Sequence, residues 1–420
     1  MKPEIKQRIE QIRRGEVPEG YKKGKLGIVP EEWNETSFST LFTSTSDYTD
    51  DLDKYPLYSL TIEDGITPKT ERYERSHLVK KEDSYKIVRP NDYAYNPMNL
   101  RFGAVARHKG DMPVAVSGYY DIFTTVHESD LPFMDSFLTC GPMITYYNRV
   151  STGSLVEKQR VHFSQFLEFM LPLPSINERA KIAAILTTQD KVIELKEKRL
   201  AQKQRQKKYL MRALLTGKKC LPGFNEQWKK VKLGDVCVVN PPKEDNYPDV
   251  VAFLGMADIS ENGSIITEHK KNYESVKTGF TPFKRGDILI AKITPCFENG
   301  KGALTDKCSF AYGFGSTEFH VLRCKAANSK FIYYHTRTDF FRKRLEAEMV
   351  GSAGQKRVQA NSIINYAILL PPPIEQTAIA EVLSAADHEI DLLRQDIEQE
   401  KQKKKALMQL LLTGIVRVKT

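Results

Sequence analysis

Polar and basic side chains cluster in four short stretches, two in each half of the sequence. In each half, one stretch follows a strand-like segment at Asp92 or Asp287, and the other precedes the final strand-like segment. The side chains concerned are Asn96, Asn99, Arg101, Lys158 and Arg160 in the first half, and Lys292, Thr294, Lys301, Ser352, Gln355, Lys356 and Arg357 in the second. Asn, Gln and Arg can make paired hydrogen bonds with base edges, whereas Lys and Ser suit phosphates. Any one of these residues could be an ordinary solvated loop residue, but together they predict a DNA-reading surface in each half.

Motifs for catalysis are weak by comparison. The stretch "NPPK" (240–243) resembles the Asn-Pro-Pro-aromatic motif of amino-methyltransferases, but Lys243 replaces the aromatic residue that stacks on the target base. No glycine-rich cofactor loop accompanies it, and "GFGSTE" (313–318) lacks the Lys-Ser/Thr pair of a phosphate-binding loop. The eight histidines and six cysteines show no metal-ligand spacing. We therefore predict no catalytic residue, no metal site and no cofactor bound by this chain.

The bulk composition is that of a basic globular protein. The 420 residues carry a net charge of +10 and are 40% hydrophobic, which indicates two or three domains with ordinary cores. An excess of positive charge favours a polyanionic partner such as nucleic acid, although a solvated lysine-rich surface would give the same number. No apolar run approaches the roughly 20 residues of a membrane span, and the charged N-terminus is unlike a signal peptide. We expect a cytoplasmic protein with reduced thiols.

A long internal repeat organises the chain. Residues 173–217 align without a gap on residues 370–414, and 18 of the 45 positions are identical. Each copy begins after prolines and ends at a glycine, which are the usual boundaries of a helix. Glu178 and Glu375 would lie in the first helical turn, where the helix dipole favours a carboxylate. The repeat therefore predicts two helices of about 40 residues each.

The apolar residues of both copies step by four and three, the spacing of a coiled-coil seam. The predicted seam comprises Ile182, Leu186, Ile193, Leu200, Leu210, Leu214, Ile379, Leu383, Ile390, Leu393, Ile397, Leu407 and Leu411. Charged residues at 196, 203, 207, 400 and 404 are expected to loosen its middle. We expect the helices to pair antiparallel, because each is followed by a separate domain. The alternative is two unrelated amphipathic helices, each packed on its own domain.

The remaining sequence predicts α+β globular domains built from short strands, such as "PVAVS" and "GDILIAKI", with helices between them. The predicted segments are 1–24 (N-terminal helical segment), 25–172 (first globular domain), 173–218 (first long helix), 219–371 (second globular domain) and 372–420 (second long helix). The stretch 11–23 also resembles 213–224. The fold class is therefore α+β, with two globular domains separated by two antiparallel helices in a tandem repeat of pseudo-twofold, nearly circular organisation.

Several stretches resemble the specificity subunit of type I restriction–modification systems, across essentially the full chain. They are "GYKKGKLGIVPEEW", "RGDILIAKI", "GSAGQKRV", and the helix entries "LPLPSINERAKIAAIL" and "LPPPIEQTAIAEVL" with their "LLTG" endings. The first copy departs slightly, since it has "INER" where most members have a Glu-Gln pair. The resemblance implies that the globular domains are target-recognition domains and that the long helices are the central and distal conserved regions.

The resemblance also implies a function in host defence by DNA methylation and restriction. Each recognition domain would read one half of a bipartite, asymmetric sequence in double-stranded DNA. The helical pair would set the half-site spacing and dock two modification (methyltransferase) subunits, which use S-adenosylmethionine to methylate adenine. Restriction subunits would use ATP, with Mg²⁺ expected in the partners, to translocate and cut unmodified DNA. This chain would be a non-catalytic recognition subunit.

Three alternatives stay open at the level of sequence. The chain could be the specificity subunit of a related methylation-only defence system, a self-sufficient DNA adenine methyltransferase, or a coiled-coil scaffold with no DNA role. The missing cofactor loop argues against a self-sufficient enzyme. A scaffold would lack the salt-dependent DNA affinity that phosphate contacts give.

Overall fold

The computed structural model describes residues 3–69, 85–153, 155, 159–352 and 354–418. The chain forms two compact units: unit 1 comprises residues 1–197 and 396–420, and unit 2 comprises residues 198–395. Both units combine helices with short strands, which confirms the α+β class. The predicted domain boundaries remain a prediction, because these units divide both long helices instead of ending at them.

Unit 1 begins with a short helix and is otherwise built from short strands and helices. Its helices are α1 (Pro3–Arg13), α2 (Leu131–Phe137), α3 (Gly141–Val150), α4 (Phe163–Leu167) and the first part of α5 (Ile176–Leu214). Its strands are β1 (Tyr21–Gly24), β2 (Gly27–Pro30), β3 (Asn34–Ser37), β4 (Phe42–Thr45), β5 (Tyr48–Thr49), β6 (Tyr58–Thr61), β7 (Gly65–Pro68), β8 (Tyr85–Val88), β9 (Tyr93–Tyr95), β10 (Val105–Arg107), β11 (Val114–Ser117), β12 (Asp121–Thr125) and β13 (Met170–Leu173). Helix α1 thus occupies only part of the predicted helical segment 1–24, since residues 21–24 form a strand.

Unit 2 has the same general composition. Its helices after α5 are α6 (Leu233–Val236), α7 (Tyr273–Val276), α8 (Ser329–Thr336), α9 (Asp339–Ala347), α10 (Ala360–Ile364) and the first part of α11 (Pro373–Leu412). Its strands are β14 (Lys229–Lys232), β15 (Cys237–Val239), β16 (Val250–Leu254), β17 (His269–Asn272), β18 (Thr281–Lys284), β19 (Ile288–Ala291), β20 (Gly302–Leu304), β21 (Tyr312–Gly315), β22 (Phe319–Cys324) and β23 (Ala367–Leu370). Among the helices of the described ranges, none is both long and apolar enough to cross a membrane.

One four-stranded antiparallel sheet occurs in both units with the same order. The order is β10-β9-β12-β4 in unit 1 and β20-β19-β22-β15 in unit 2. The turn before the central strand is closed by the buried carboxylates that the sequence repeat aligns. Asp92 accepts a hydrogen bond from the backbone N–H of Arg89 at 3.0 Å, and Asp287 accepts one from Lys284 at 2.7 Å. The repeat therefore extends into the globular parts.

The two long helices run antiparallel within each unit. In unit 1, Gln189 of α5 contacts Glu400 of α11 at 2.6 Å, while Lys196, further along α5, contacts the earlier residue Asp396 at 2.8 Å. In unit 2 the same descending order joins Lys203 to Glu389 and Lys207 to Asp387. These contacts confirm the predicted antiparallel pairing.

The predicted seam residues are buried to different degrees. Those that are buried are Ile182, Leu186, Ile193, Leu214, Ile379, Leu383, Ile390, Ile397 and Leu411. Those that are partly buried are Leu200, Leu210, Leu393 and Leu407. The start of α5 and the end of α11 belong to the core of unit 1, and the end of α5 and the start of α11 belong to the core of unit 2.

The charged residues near the middle of the helices form ion pairs with the partner helix, and the loosening of the seam stays a prediction. Within unit 1, Lys196 also contacts Glu400 at 2.9 Å, and Lys404 contacts Asp190 at 2.6 Å. Long lysine side chains can pack their methylene groups between the helices while their ammonium groups reach a carboxylate on the partner helix. Side-chain pairs thus continue the contact where apolar residues are sparse.

Candidate nucleic-acid interface

In unit 1, the two predicted polar stretches form loops that touch each other. Loop A (residues 96–104) connects β9 to β10, and loop B (residues 152–160) precedes α4. The backbone N–H of Val161, just after loop B, donates to the carbonyl of Pro97 in loop A at 3.1 Å. The Arg101 guanidinium of loop A donates to the amide oxygen of Gln159 in loop B at 2.9 Å. Sequence stretches far apart in the chain therefore build one surface.

Unit 2 repeats this arrangement at aligned positions. Loop C (residues 292–301) connects β19 to β20, and loop D (residues 350–357) precedes α10. The N–H of Val358 donates to the carbonyl of Lys292 at 2.9 Å, and the N–H of Thr294 donates to the carbonyl of Lys356 at 3.0 Å. Val358 aligns with Val161 in the repeat, as Lys292 aligns with Pro97. The duplication has kept the backbone contact between the loops while the side chains changed.

Loops B and D are each closed at the base by a backbone pair. Thr152 and Arg160 exchange two hydrogen bonds of 3.0 Å, and Val350 and Arg357 exchange two of 3.1 and 2.9 Å. This pairing brings the two ends of each loop together. Gly351, with a φ of +137°, lies at the start of loop D, where a Cβ atom would come within 2.7 Å of the Gln355 carbonyl. Glycine is required there because the two sides of the loop approach closely.

The predicted residues of unit 1 differ in how far they reach solvent. Asn99 and Arg160 are exposed, whereas Asn96 turns back and accepts a hydrogen bond from the Met98 N–H at 3.1 Å. Arg101 is half-buried, with its guanidinium 4.6 Å from the centre of the Phe102 ring. Lys158 lies outside the described residues.

In unit 2, the side chains of loop D are the exposed ones. Ser352, Gln355 and Lys356 all face solvent. Two lysines of loop C instead donate to carbonyls: Lys292 to Thr317 at 2.7 Å and Lys301 to Met256 at 2.9 Å. Burial lowers the pKa of Lys292.

Two further predicted residues of unit 2 lie inside the loop structure. Thr294 is buried at the start of loop C. Arg357 forms a forked ion pair with Glu318, with its Nε and Nη2 atoms each 3.0 Å from a carboxylate oxygen. That hydrogen bonding to Arg357 lowers the pKa of Glu318. The structure therefore places Arg357 as a support of loop D, and the base-contact roles of all the predicted residues remain predictions.

Comparisons with known proteins find similarity to specificity subunits of type I restriction systems. Residues 225–402 match the family model described as the type I restriction modification DNA specificity domain. The EcoEI specificity subunit of Escherichia coli is 36% identical over 175 residues, which cover 40% of this chain and 29% of that subunit. The EcoAI specificity subunit of the same species is 39% identical over 176 residues, covering 38% and 30%. The second half of this chain is therefore similar to the DNA specificity domain of type I restriction–modification systems.

The matches to these two specificity subunits thus span less than a third of their lengths. A solved S subunit of the type I system from M. genitalium has the same fold over a longer range. It covers 93% of this chain and 97% of its own, with a TM-score of 0.52 at 12% identity. At such low identity the match shows a shared fold alone.

Sequence reasoning missed the residues that hold loop C in place. Arg342 donates to the carbonyls of Phe297 and Gly300 at 2.6 and 2.9 Å, and Arg337 also donates to the Gly300 carbonyl. Burial lowers the pKa of Arg342 to about 9. Both arginines come from the segment α8–α9, which reads in sequence as an ordinary basic helix. Nothing in its pattern indicates that loop C is the partner.

The sequence analysis also missed two exposed apolar side chains in the loops of unit 1. Phe102 in loop A is 50% exposed, and Leu155 in loop B is 57% exposed. An exposed apolar side chain in a loop that also carries basic residues can pack on a base or on a sugar face. Their signal in the sequence is simply an apolar residue within a polar loop.

Proposed function

We propose that this chain is the DNA-specificity subunit of a type I restriction–modification complex, and that each unit reads one half of a bipartite, asymmetric target. Loops A and B would contact one half-site and loops C and D the other. The long helical pair would set the spacing between half-sites and dock the methyltransferase subunits. The chain itself would supply sequence recognition and no catalysis.

One observation carries this proposal. The two units keep the same backbone hydrogen bond between their loops, Val161 to Pro97 and Val358 to Lys292, yet the exposed side chains differ. Asn99 and Arg160 face solvent in unit 1. In unit 2, the solvent-facing side chains of loop D are Ser352, Gln355 and Lys356. Amide and guanidinium groups discriminate base edges, and lysine contacts phosphates. A conserved frame with different polar side chains fits two readers of two sequences.

The partners follow from the proposed role. The methyltransferase subunits would bind S-adenosylmethionine and transfer its methyl group to adenine, while the restriction subunits would bind ATP and Mg²⁺. Within the described residues, no group of three or more His, Cys, Asp or Glu side chains is arranged to hold a metal ion. The residues at the loops are suited to binding polar groups of DNA rather than to moving protons or methyl groups.

The experiment is a map of methylated adenines in cells that carry this chain together with its methyltransferase subunits, compared with cells lacking only this chain. The proposal predicts that one bipartite, asymmetric motif loses its methylation when the chain is removed. An unchanged map would overturn it. Purified chain incubated alone with S-adenosylmethionine and the mapped duplex should transfer no methyl group. Transfer by the chain alone would instead identify a self-sufficient methyltransferase.

A further inference from the structure

Two cysteines of unit 2 face each other across adjacent strands. Cys237 on β15 and Cys324 on β22 are direct partners in the antiparallel register, although they are 87 positions apart in sequence. Their sulfur atoms lie 3.3 Å apart. All six cysteines of the chain are free thiols, so this pair is reduced in the structure.

The backbone around the pair suits a covalent link. The N–H of Lys325 donates to the carbonyl of Val236 at 3.0 Å, which makes Cys237 and Cys324 a non-hydrogen-bonded pair of the ladder. Side chains are closest at such positions, where opposite Cα atoms are about 4.5 Å apart. That separation lies at the lower end of the range of about 4.4–6.8 Å that disulfides span.

The sulfur atoms need only a small further approach to form a disulfide, and one of them lies on an edge strand. The sulfur atoms must approach from 3.3 Å to the disulfide bond length of about 2.05 Å. Strand β15 is the edge strand of its sheet, with β22 as its single neighbour in that sheet. A slight shift of β15 toward β22 would therefore leave the other strand pairs intact.

The two thiols are also suited to different steps of an oxidation. Cys237 is only 2% exposed, whereas Cys324 is partly exposed. Contact with the Cys324 thiol, together with burial, raises the pKa of Cys237. Cys324 is thus the thiol that an oxidant in solution reaches first, and Cys237 is held beside it to complete the bond.

We propose that Cys237 and Cys324 form a reversible dithiol–disulfide site that responds to peroxide. The Cys324 thiolate attacks one peroxide oxygen and becomes a sulfenic acid, releasing hydroxide, which is protonated to water. The Cys237 sulfur then attacks the sulfenic sulfur, and its proton leaves with the departing hydroxyl group as a second water. Two thiols and one hydrogen peroxide give one disulfide and two waters, and a small thiol reverses the reaction.

The link would join the edge strand to the central part of the sheet that carries loop C. Closing a loop of this length removes much conformational freedom from the unfolded chain, so the disulfide stabilises unit 2 against unfolding. We expect the unfolding midpoint of unit 2 to rise by several degrees when the pair is oxidised. Unit 1 holds a single cysteine, Cys140, and its midpoint should not change.

The test uses the full-length chain, treated with hydrogen peroxide and digested without reduction for mass spectrometry. The expected result is a linked peptide pair containing Cys237 and Cys324, which dithiothreitol separates. In Cys237→Ser, the sulfenic acid on Cys324 has no partner, so a dimedone adduct should accumulate on Cys324. In Cys324→Ser, neither the link nor an adduct on Cys237 should form.

The matched control is Cys220→Ser, which removes an exposed cysteine of the same unit. It should keep both the linked peptide pair and the rise in the midpoint. The proposal is overturned if wild-type protein shows oxidised Cys220 but no link between Cys237 and Cys324. Because that result comes from the unmodified sequence, it holds even if a serine variant folds poorly.

Discussion

The indole Nε1 of Trp33 lies 3.3 Å from Oε2 of Glu178, at the start of α5. Trp228 and Glu375 repeat this contact in unit 2 at 3.0 Å. Glu178 differs from Glu375 in also accepting two hydrogen bonds from Arg417, of 2.7 and 2.9 Å. The buried Oε1 of Glu375 accepts no hydrogen bond from the residues that the structure describes. The two carboxylates occupy equivalent positions but therefore have different hydrogen-bond partners.

This asymmetry predicts different costs for the same substitution. Glu178→Gln removes the charge that Arg417 pairs with and should lower the free energy of unfolding of unit 1 by about 2–4 kcal/mol. Glu375→Gln keeps the acceptor for Trp228 and removes an uncompensated buried charge. Its cost should be at most about 1 kcal/mol.

The two tryptophans allow each unit to be followed separately, because they are the only two in the chain. Glu178→Gln would be measured by tryptophan fluorescence in a Trp228→Phe background during urea unfolding. Glu375→Gln would be measured in a Trp33→Phe background. Equal losses in the two units would show that Arg417 does not distinguish the sites.

A second prediction concerns acid pH and the helical pair of unit 1. Hydrogen bonding from Gln189 and then from Lys196 lowers the pKa of Glu400 to about 2, from an ordinary value of 4.5. A carboxylate with a lowered pKa stabilises the folded state above the unfolded pKa, and this stabilisation is lost as the pH falls toward the folded value. Glu400→Gln should therefore lower the melting temperature at pH 7.

The gap between wild type and Glu400→Gln should narrow as the pH falls from about 4.5 toward 2. Glu398→Gln is the matched control, since Glu398 is exposed on the same helix. It should change the melting temperature little at any pH. A gap for Glu400→Gln that stays constant from pH 7 to pH 3 would contradict the assigned contacts.

A third prediction tests the support of loop C. Replacing Arg342 by methionine removes its two hydrogen bonds to the carbonyls of Phe297 and Gly300, while retaining much of the side-chain volume. Amide hydrogen exchange in loop C should accelerate at least about tenfold, since each hydrogen bond from a charged donor contributes roughly 1.5–3 kcal/mol. Arg344→Met, at an exposed position of the same helix, should leave this exchange unchanged. If amide hydrogen exchange in loop C is unchanged in both Arg342→Met and Arg344→Met, then Arg342 does not support loop C.

A fourth prediction separates phosphate contact from base readout in loop D. Lys356→Ala should weaken binding to all duplexes and reduce the slope of log affinity against log salt by about 1. Gln355→Ala should instead reduce discrimination at one base pair of the mapped motif by about 1–3 kcal/mol. Lys343→Ala, an exposed lysine on α9, is the control for general charge loss. A reduced salt slope for Lys343→Ala as large as that for Lys356→Ala would contradict the assignment.

The duplication made the fold predictable from sequence. The repeat that aligns Ile182 with Ile379 predicts both helices, and their antiparallel pairing was expected because each helix is followed by a separate domain. The role of Lys196 was not predictable in the same way. A charged residue in a seam reads as a defect until its partner is known, and Asp396 comes from the other copy of the repeat. Periodicity describes one helix at a time, whereas ion pairs depend on the register between two.

The loops show where the information in a single sequence ends. Arg357 and Gln355 look equally suited to reading bases, but the former is turned into an ion pair with Glu318 and the latter is exposed. Glu318 precedes β22, so its proximity to loop D comes from the order of strands in the sheet. Likewise Arg342 supports loop C only because α9 packs beside it. The sequence gives the chemical type of each side chain, but it does not show which way the side chain points.

The most direct test of divided recognition is a methylation map of two loop variants in cells carrying the partner subunits. One variant replaces Asn99 and Arg160 by alanine, and the other replaces Gln355 and Lys356. The account predicts that each variant relaxes or loses one half of the bipartite motif and keeps the other half, which also shows that each variant still folds and assembles. If both variants alter the same half, or if both halves change together in each, the assignment of one half-site to each unit is wrong.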